Sequence, residues 1–240
     1  SQAQSGAGQI CFEYIANSRM MAFHERHTVD QVRQIARALG KIQACSIRKE
    51  PTDAVFQQDF FKILAETWPL DTFRGMFKGI FDVDSSEKTK QLMEKIDVLL
   101  PNFFSFNIAS SIHKRMNVKP VLVNGDLHTG NVLIDKDTGN LAALIDWQCT
   151  HFGIGVEDLY RVAMSALTTK ERRAAMPMLV EEMYKSMVAH LEDTKPPYSL
   201  DTLLILSDII FPQCALFFTS NFIPFVVKFD NNLTISDAEK

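Results

Sequence analysis

The chain has 240 residues, enough for one large domain or two small ones with a sizeable buried core. Apolar residues make up 46% and charged residues 22%, a globular composition that excludes general disorder. A net charge of −4 without a long basic run excludes a general nucleic-acid surface, although a local basic pocket stays open.

In chain order, "ICFEYI" (10 to 15) reads as a strand followed by the polar turn "ANS". "HTVDQVRQIARALGKIQACS" predicts a helix: Thr28 and Gln31 form a capping-box pair, and Val29, Val32, Ile35, Ala36, Leu39 and Ile42 share one face. A second helical pattern covers 54 to 67, with Phe56, Phe60, Ile63 and Leu64 on one side. A third starts near Ser86, runs through Leu92, Ile96 and Leu99, and is expected to end before Pro101. A fourth carries Phe104, Ile108 and Ile112.

The period then switches. "VLV", "NVLI" and "LAALID" read as short strands, with the Asp- and Gly-rich "DKDTGN" folding the second back against the third. Helical patterns return at 156 to 167 and at 171 to 191, the latter with Met176, Leu179, Val180, Met183 and Met187 inward. The uncharged "IIFPQCALFFTSNFIPFVV" (209 to 227) has the length of a membrane span, but Pro212 and Pro224 interrupt it and several polar residues would lack partners in lipid. A buried helix pair or helix-turn is expected there, and no membrane span. Cys11, Cys45, Cys149 and Cys214 form no CxxC pair, and the N-terminus lacks a secretory pattern; reduced thiols and a cytoplasmic location are expected. The fold class is α+β and predominantly α-helical, with a small β-hairpin inserted in the middle.

That hairpin carries the chemistry. Asp126 and Asn131 flank "LHTG", whose Gly130 permits a tight turn, and Asp146 closes the strand expected to return beside "NVLI". Asn131 and Asp146 then reach the same end of adjacent strands, an all-oxygen pair suited to Mg²⁺ with phosphate oxygens. Asp126, just ahead, is placed to accept a hydroxyl proton. Any one of these residues alone would be read as a turn or cap residue; the joint spacing favours a site. A zinc set of Asp126, His128, Asp146, Cys149 and His151, serving a metal-dependent hydrolase, is the alternative from the same stretch.

Asp-x₄-Asn followed by a strand ending in Asp resembles the catalytic and metal loops of protein kinases. "NGDLHTGNVLI" with "LIDWQ" is similar to the aminoglycoside phosphotransferase and choline kinase branch. "CTHFGIGVEDLYRV" resembles, more narrowly, the nematode and insect ecdysteroid-kinase-like group. The resemblance implies a protein-kinase-like C-terminal lobe and an ATP-dependent phosphotransferase acting on a small-molecule alcohol, with ATP and Mg²⁺ as cofactors. It implies Asp126 as catalytic base, His128 near the phosphates or supporting the loop, Asn131 and Asp146 as metal ligands, and Asp158 as a brace of the catalytic loop. Backbone groups of Glu13 and Ile15, in what looks like the hinge strand, would meet the adenine edge.

Two positions depart from the pattern. Asn124 stands where many relatives have histidine, a position that packs and orients the loop. The chain also shows no phosphate-pairing strand lysine ahead of the hinge, its first lysine being Lys41. Residues 1–18 are therefore expected to be a tail and hinge-strand remnant, and 19–240 a C-terminal lobe whose N-terminal partner lobe, or another chain, completes the hinge edge. On that expectation the 240 residues alone bind nucleotide poorly, and a non-catalytic kinase-like binding module is the alternative to an enzyme. Trp147, Phe152 and Tyr160 suggest an apolar wall for a bulky, sterol-like alcohol.

Overall fold

The computed structural model describes residues 13–21, 25–49, 63, 66, 69–103 and 106–229. It is an α+β fold, predominantly helical. Strand β1 (Ser18–Met20) precedes helix α1 (Val29–Arg48). Helices α2 (Leu70–Val83), α3 (Glu87–Phe103) and α4 (Phe106–Arg115) follow. Four short strands come next: β2 (Val121–Val123), β3 (Val132–Asp135), β4 (Leu141–Leu144) and β5 (His151–Gly153). Helices α5 (Glu157–Ala166), α6 (Thr169–Ala189) and α7 (Leu200–Phe229) complete the described chain.

The strands form two small antiparallel sheets, β1-β3-β4 and β2-β5. In the first, Val132 stands opposite Leu144 and Ser18 opposite Asp135. The β3–β4 turn is held by Asp135, whose carboxylate accepts the backbone N–H of Asp137 and Thr138 and the Thr138 hydroxyl. Those donors, Thr138 first, pull the Asp135 pKa below the usual carboxylate range. Gly139, with φ of +70°, takes the left-handed position that closes the turn.

Helix α1 fixes this hairpin to the helical body. Thr28 and Gln31 form the expected capping box. The same Gln31 donates its Nε2–H to the Gly139 carbonyl at 2.7 Å, and Gln34 accepts from Leu141 N–H at 2.9 Å. On the opposite side α1 lies against α6 at Gly40, where an added Cβ would overlap the Met183 carbonyl oxygen and sit 2.8 Å from Met187 N. Val32, Ile35, Ala36 and Leu39 are buried with Leu179, Val180, Met183 and Met187 in the main core. A second, smaller core joins Phe73, Phe77 and Leu100 to Leu216 and Phe217 of α7.

Several expectations need correction. The strand predicted at 10 to 15 lies further on: residues 13–15 are irregular and β1 starts at Ser18, because Ser18 to Met20 are the residues that find partners on β3. Residues 10–12 fall outside the described residues, as does most of the helix predicted at 54 to 67. Helix α3 does not end before Pro101 but runs through it to Phe103. Ile96 and Leu100 pack inward with Met93, whereas Leu92 and Leu99 are exposed by 48% and 46%. Residues 209–227 form no helix pair. Helix α7 is continuous through Pro212 and Pro224, and packs on α5 and α2. It is long and apolar enough to cross a membrane by length and composition. Helix α2 and strand β5 were not predicted at all.

Candidate functional site

Strand β2 leads into the loop, and both its outer residues are buried against β5 and the core. Asn124 follows, fully buried, and uses its whole amide. Its Nδ2 donates to the carbonyls of Asp146 (2.9 Å) and Ile145 (3.3 Å), and its Oδ1 accepts from Asp126 N–H at 3.0 Å. It therefore orients the loop, as expected of that position. Gly125 has φ of +84°, and a Cβ there would overlap the Cys149 carbonyl, so conformation and space both call for glycine.

Beneath this turn lies Asp158 from the first turn of α5. Its carboxylate accepts Asn124 N–H at 2.6 Å and Gly125 N–H at 2.9 Å. Burial pushes its pKa up, while those two donors and Arg161 pull against the rise. The acidic brace inferred from the motif is thus present as a buried clamp.

Asp126 is half-buried. Its pKa is raised, first by burial and also by the charge of Asp146, with His128 and Arg161 opposing. His128 begins the turn Thr129–Asn131 and accepts Gly130 N–H on its Nδ1 at 3.1 Å. Burial is the main cause that lowers its pKa, so the ring is held neutral at pH 7. Asn131, 8% exposed, donates its Nδ2–H to the Asp126 carbonyl at 2.8 Å. The carbonyl of Asn131 accepts from Ile145 N–H at 3.0 Å, which sets Asn131 diagonally across the hairpin from Asp146. Asp146 itself is left-handed, with φ of +56°, a conformation that Asp and Asn tolerate better than most residues. Asp126, His128 and Asp146 thus lie close enough to act on one another's charge, and Asn131 is tied to the Asp126 carbonyl.

The other predicted residues divide. Ile15 already gives its carbonyl to Ser18 Oγ at 2.7 Å, and Glu13 is exposed on the irregular segment before β1. Tyr160 is turned toward α7, where its hydroxyl meets Ser207 Oγ at 2.8 Å, and so does not wall the loop with Trp147. The zinc set does not assemble. Among the described residues no three His, Cys, Asp or Glu side chains are grouped to hold a metal. His151 is buried between the Cys149 carbonyl and Glu157, and burial pushes the Cys149 thiol up to about 11.

Two contributors were missed from sequence. Arg161, 7% exposed, acts electrostatically on Asp126, His128 and Asp158 at once. Ser165 accepts Thr129 N–H at 3.1 Å. Their signal was available: Asp158, Arg161 and Ser165 stand three and then four residues apart, one face of a helix.

The chain matches, over residues 2–240, the family described as "Uncharacterized oxidoreductase dhs-27". It belongs to that family. No curated protein and no solved structure matches it.

Proposed function

We propose that the chain is an ATP-dependent phosphotransferase acting on a hydroxyl of a small molecule. The observation that carries this reading is the clasp between loops: Asn131 donates to the Asp126 carbonyl while its own carbonyl receives Ile145 N–H, next to Asp146. A proton acceptor and two hard oxygen donors are thereby tied to one hairpin, which is what phosphoryl transfer asks of a protein. The resemblance of "GDLHTGN" and "LIDW" to small-molecule kinase loops agrees with it.

The chemistry of these residues suits Mg²⁺. With its nitrogen committed to Asp126, the side chain of Asn131 keeps an oxygen, and the Asp146 carboxylate supplies the charge. A bound Mg²⁺–nucleotide would bring the phosphoryl group and neutralise its charge. Asp126 would take the proton of the attacking alcohol, helped by a pKa nearer neutrality than an exposed carboxylate has. Neutral His128 shapes the turn, and Asn124 and Asp158 hold the base in register. The two cofactors and the alcohol are the partners this reading requires.

The word "oxidoreductase" in the family description suggests a nicotinamide or flavin enzyme. Among the described residues, Gly153 at the end of β5 and Gly155 before α5 are the nearest thing to a dinucleotide turn. They face inward: a Cβ on Gly153 would lie 2.6 Å from Glu157 Oε1, and one on Gly155 2.8 Å from Gln43 and Tyr198. Strand β5 is also antiparallel to β2, unlike the parallel strand of such a turn. This stretch packs the core and does not cradle a pyrophosphate.

The test is Asp126→Asn in the full-length protein, assayed for phosphoryl transfer from ATP–Mg²⁺ to a panel of alcohols. Turnover should fall by on the order of 10²–10⁴ with nucleotide affinity little changed. Near-normal turnover removes Asp126 from the role. Nucleotide binding with no turnover in the wild type makes the fold a binding module, and cofactor-dependent oxidation of the same alcohols makes the family description literal.

A further inference from the structure

Helices α5, α6 and α7 enclose a second concavity, of about 430 Å³, that shares no residue with the loops around Asp126. Tyr160 and Phe211 form one wall, their ring centroids 5.2 Å apart and inclined by 47°. Met176 and Leu204 add aliphatic surface. Into this apolar setting the first turn of α6 delivers Arg172. Its guanidinium carbon lies 5.4 Å from the centre of the Phe211 ring, and the residue is partly buried. Among the described residues no carboxylate forms an ion pair with it; Glu171, its neighbour in sequence, is taken up by Thr168. Burial and then the charge of Arg173 lower the hold of Arg172 on its proton, with Tyr160 opposing. The Tyr160 hydroxyl meets Ser207, and both Arg172 and the exposed Asp208 exert their charge on Tyr160.

We propose that this concavity is a binding site for a small amphipathic organic anion, its head group on Arg172 and its apolar body between Phe211, Met176 and Leu204. A guanidinium drawn from water without a counter-ion loses solvation that an anionic ligand restores. The planar fork suits a carboxylate or a phosphate ester alike. The volume lies within the range of about 300–1,000 Å³ usual for small-molecule sites.

Calorimetric titration of the whole chain with decanoate, decyl phosphate, decanol and inorganic phosphate tests this. One or both amphipathic anions should bind saturably at one site, with decanol and inorganic phosphate weaker by about tenfold or more. Which of decanoate and decyl phosphate binds tighter identifies the head group. Arg172→Met should weaken the anions by about tenfold while leaving decanol unchanged. Leu204→Trp, on the rim, should block the apolar body and weaken all three long-chain probes. Thermal unfolding checks that both variants fold; if Arg172→Met does not, the wild-type ranking and Leu204→Trp decide. Absence of saturable anion binding, decanol binding as tightly as the anions, or an undiminished affinity in folded Arg172→Met overturns the proposal.

Discussion

Asp126 makes no hydrogen bond through its carboxylate among the described residues, yet it is withdrawn from water beside a second acid, Asp146. Its folded-state pKa is therefore above the unfolded one, and the sign of the linkage follows. Below the unfolded pKa the carboxyl is neutral in both states and there is no penalty. As pH rises through the raised folded value, the ionised form is disfavoured in the fold and stability is lost. Asparagine is neutral at every pH and gives up no bond at this position. Asp126→Asn should thus unfold with wild type near pH 4 (about the unfolded carboxylate pKa) and at a higher temperature than wild type near about pH 8. Paired melting curves measure this; a variant less stable at the higher pH counts against it. On the proposed phosphoryl transfer, with Asp126 as base, the same raised pKa would set the acid limb of the pH profile. Turnover per unit KM should decline with falling pH well before an ordinary carboxylate titrates, and that limb should vanish in Asp126→Asn along with the activity.

At the scale of elements, what was legible had strong local signals. The capping box of α1, the inward Met176, Leu179, Val180, Met183 and Met187 of α6 and the β3–β4 hairpin all appear where their residues foretold them. The approach of Asp126 and Asp146, and the tie of Asn131 to the Asp126 carbonyl, follow from the same local signals, since the turn after β2 and the β3–β4 hairpin meet there. The failures have a common physical origin in long-range packing. Strand β5 owes its state to β2, thirty residues earlier in the register Val121↔Gly153 to Val123↔His151, and "HFG" carries little strand signal alone. Helix α7 continues through prolines that each remove a helical hydrogen bond, a loss of about 3 kcal/mol that contacts with α5 and α2 offset. Gly40 gives a test of this balance. Alanine would favour the isolated helix by about 1 kcal/mol. In the fold its Cβ would press on the α6 backbone at Met183 and Met187. Gly40→Ala should therefore destabilise by about 1–3 kcal/mol, read from the shift in urea midpoint. A stabilised variant would show that α1 and α6 can move apart freely.

Across the whole molecule, two cores of unequal size carry different duties. The large one unites α1, α5, α6 and the strands that hold the candidate site, and the small one ties α2 and α3 to α7. Phe217 joins them, since its ring lies 6.1 Å from Phe73 and beneath the Arg161 guanidinium at 4.5 Å. Phe77→Ala empties the small core, at a local loss of about 3–5 kcal/mol. Amide hydrogen exchange should then quicken throughout α2 and α3, while α1 and α6 keep their protection. Uniform acceleration would mean that the two cores open together. Folding also governs the chemical lifetime of the chain at one place. Asn124 precedes a glycine, the succession in which a backbone nitrogen most readily attacks the side-chain amide and leaves an acid behind. In the native loop that nitrogen is held by Asp158, and the amide of Asn124 is clasped by Ile145, Asp146 and Asp126. Native protein ages slowly there and unfolded protein fast. The acid once formed would set a negative charge against two carbonyl oxygens, so a chain that has unfolded for long enough does not regain the same loop.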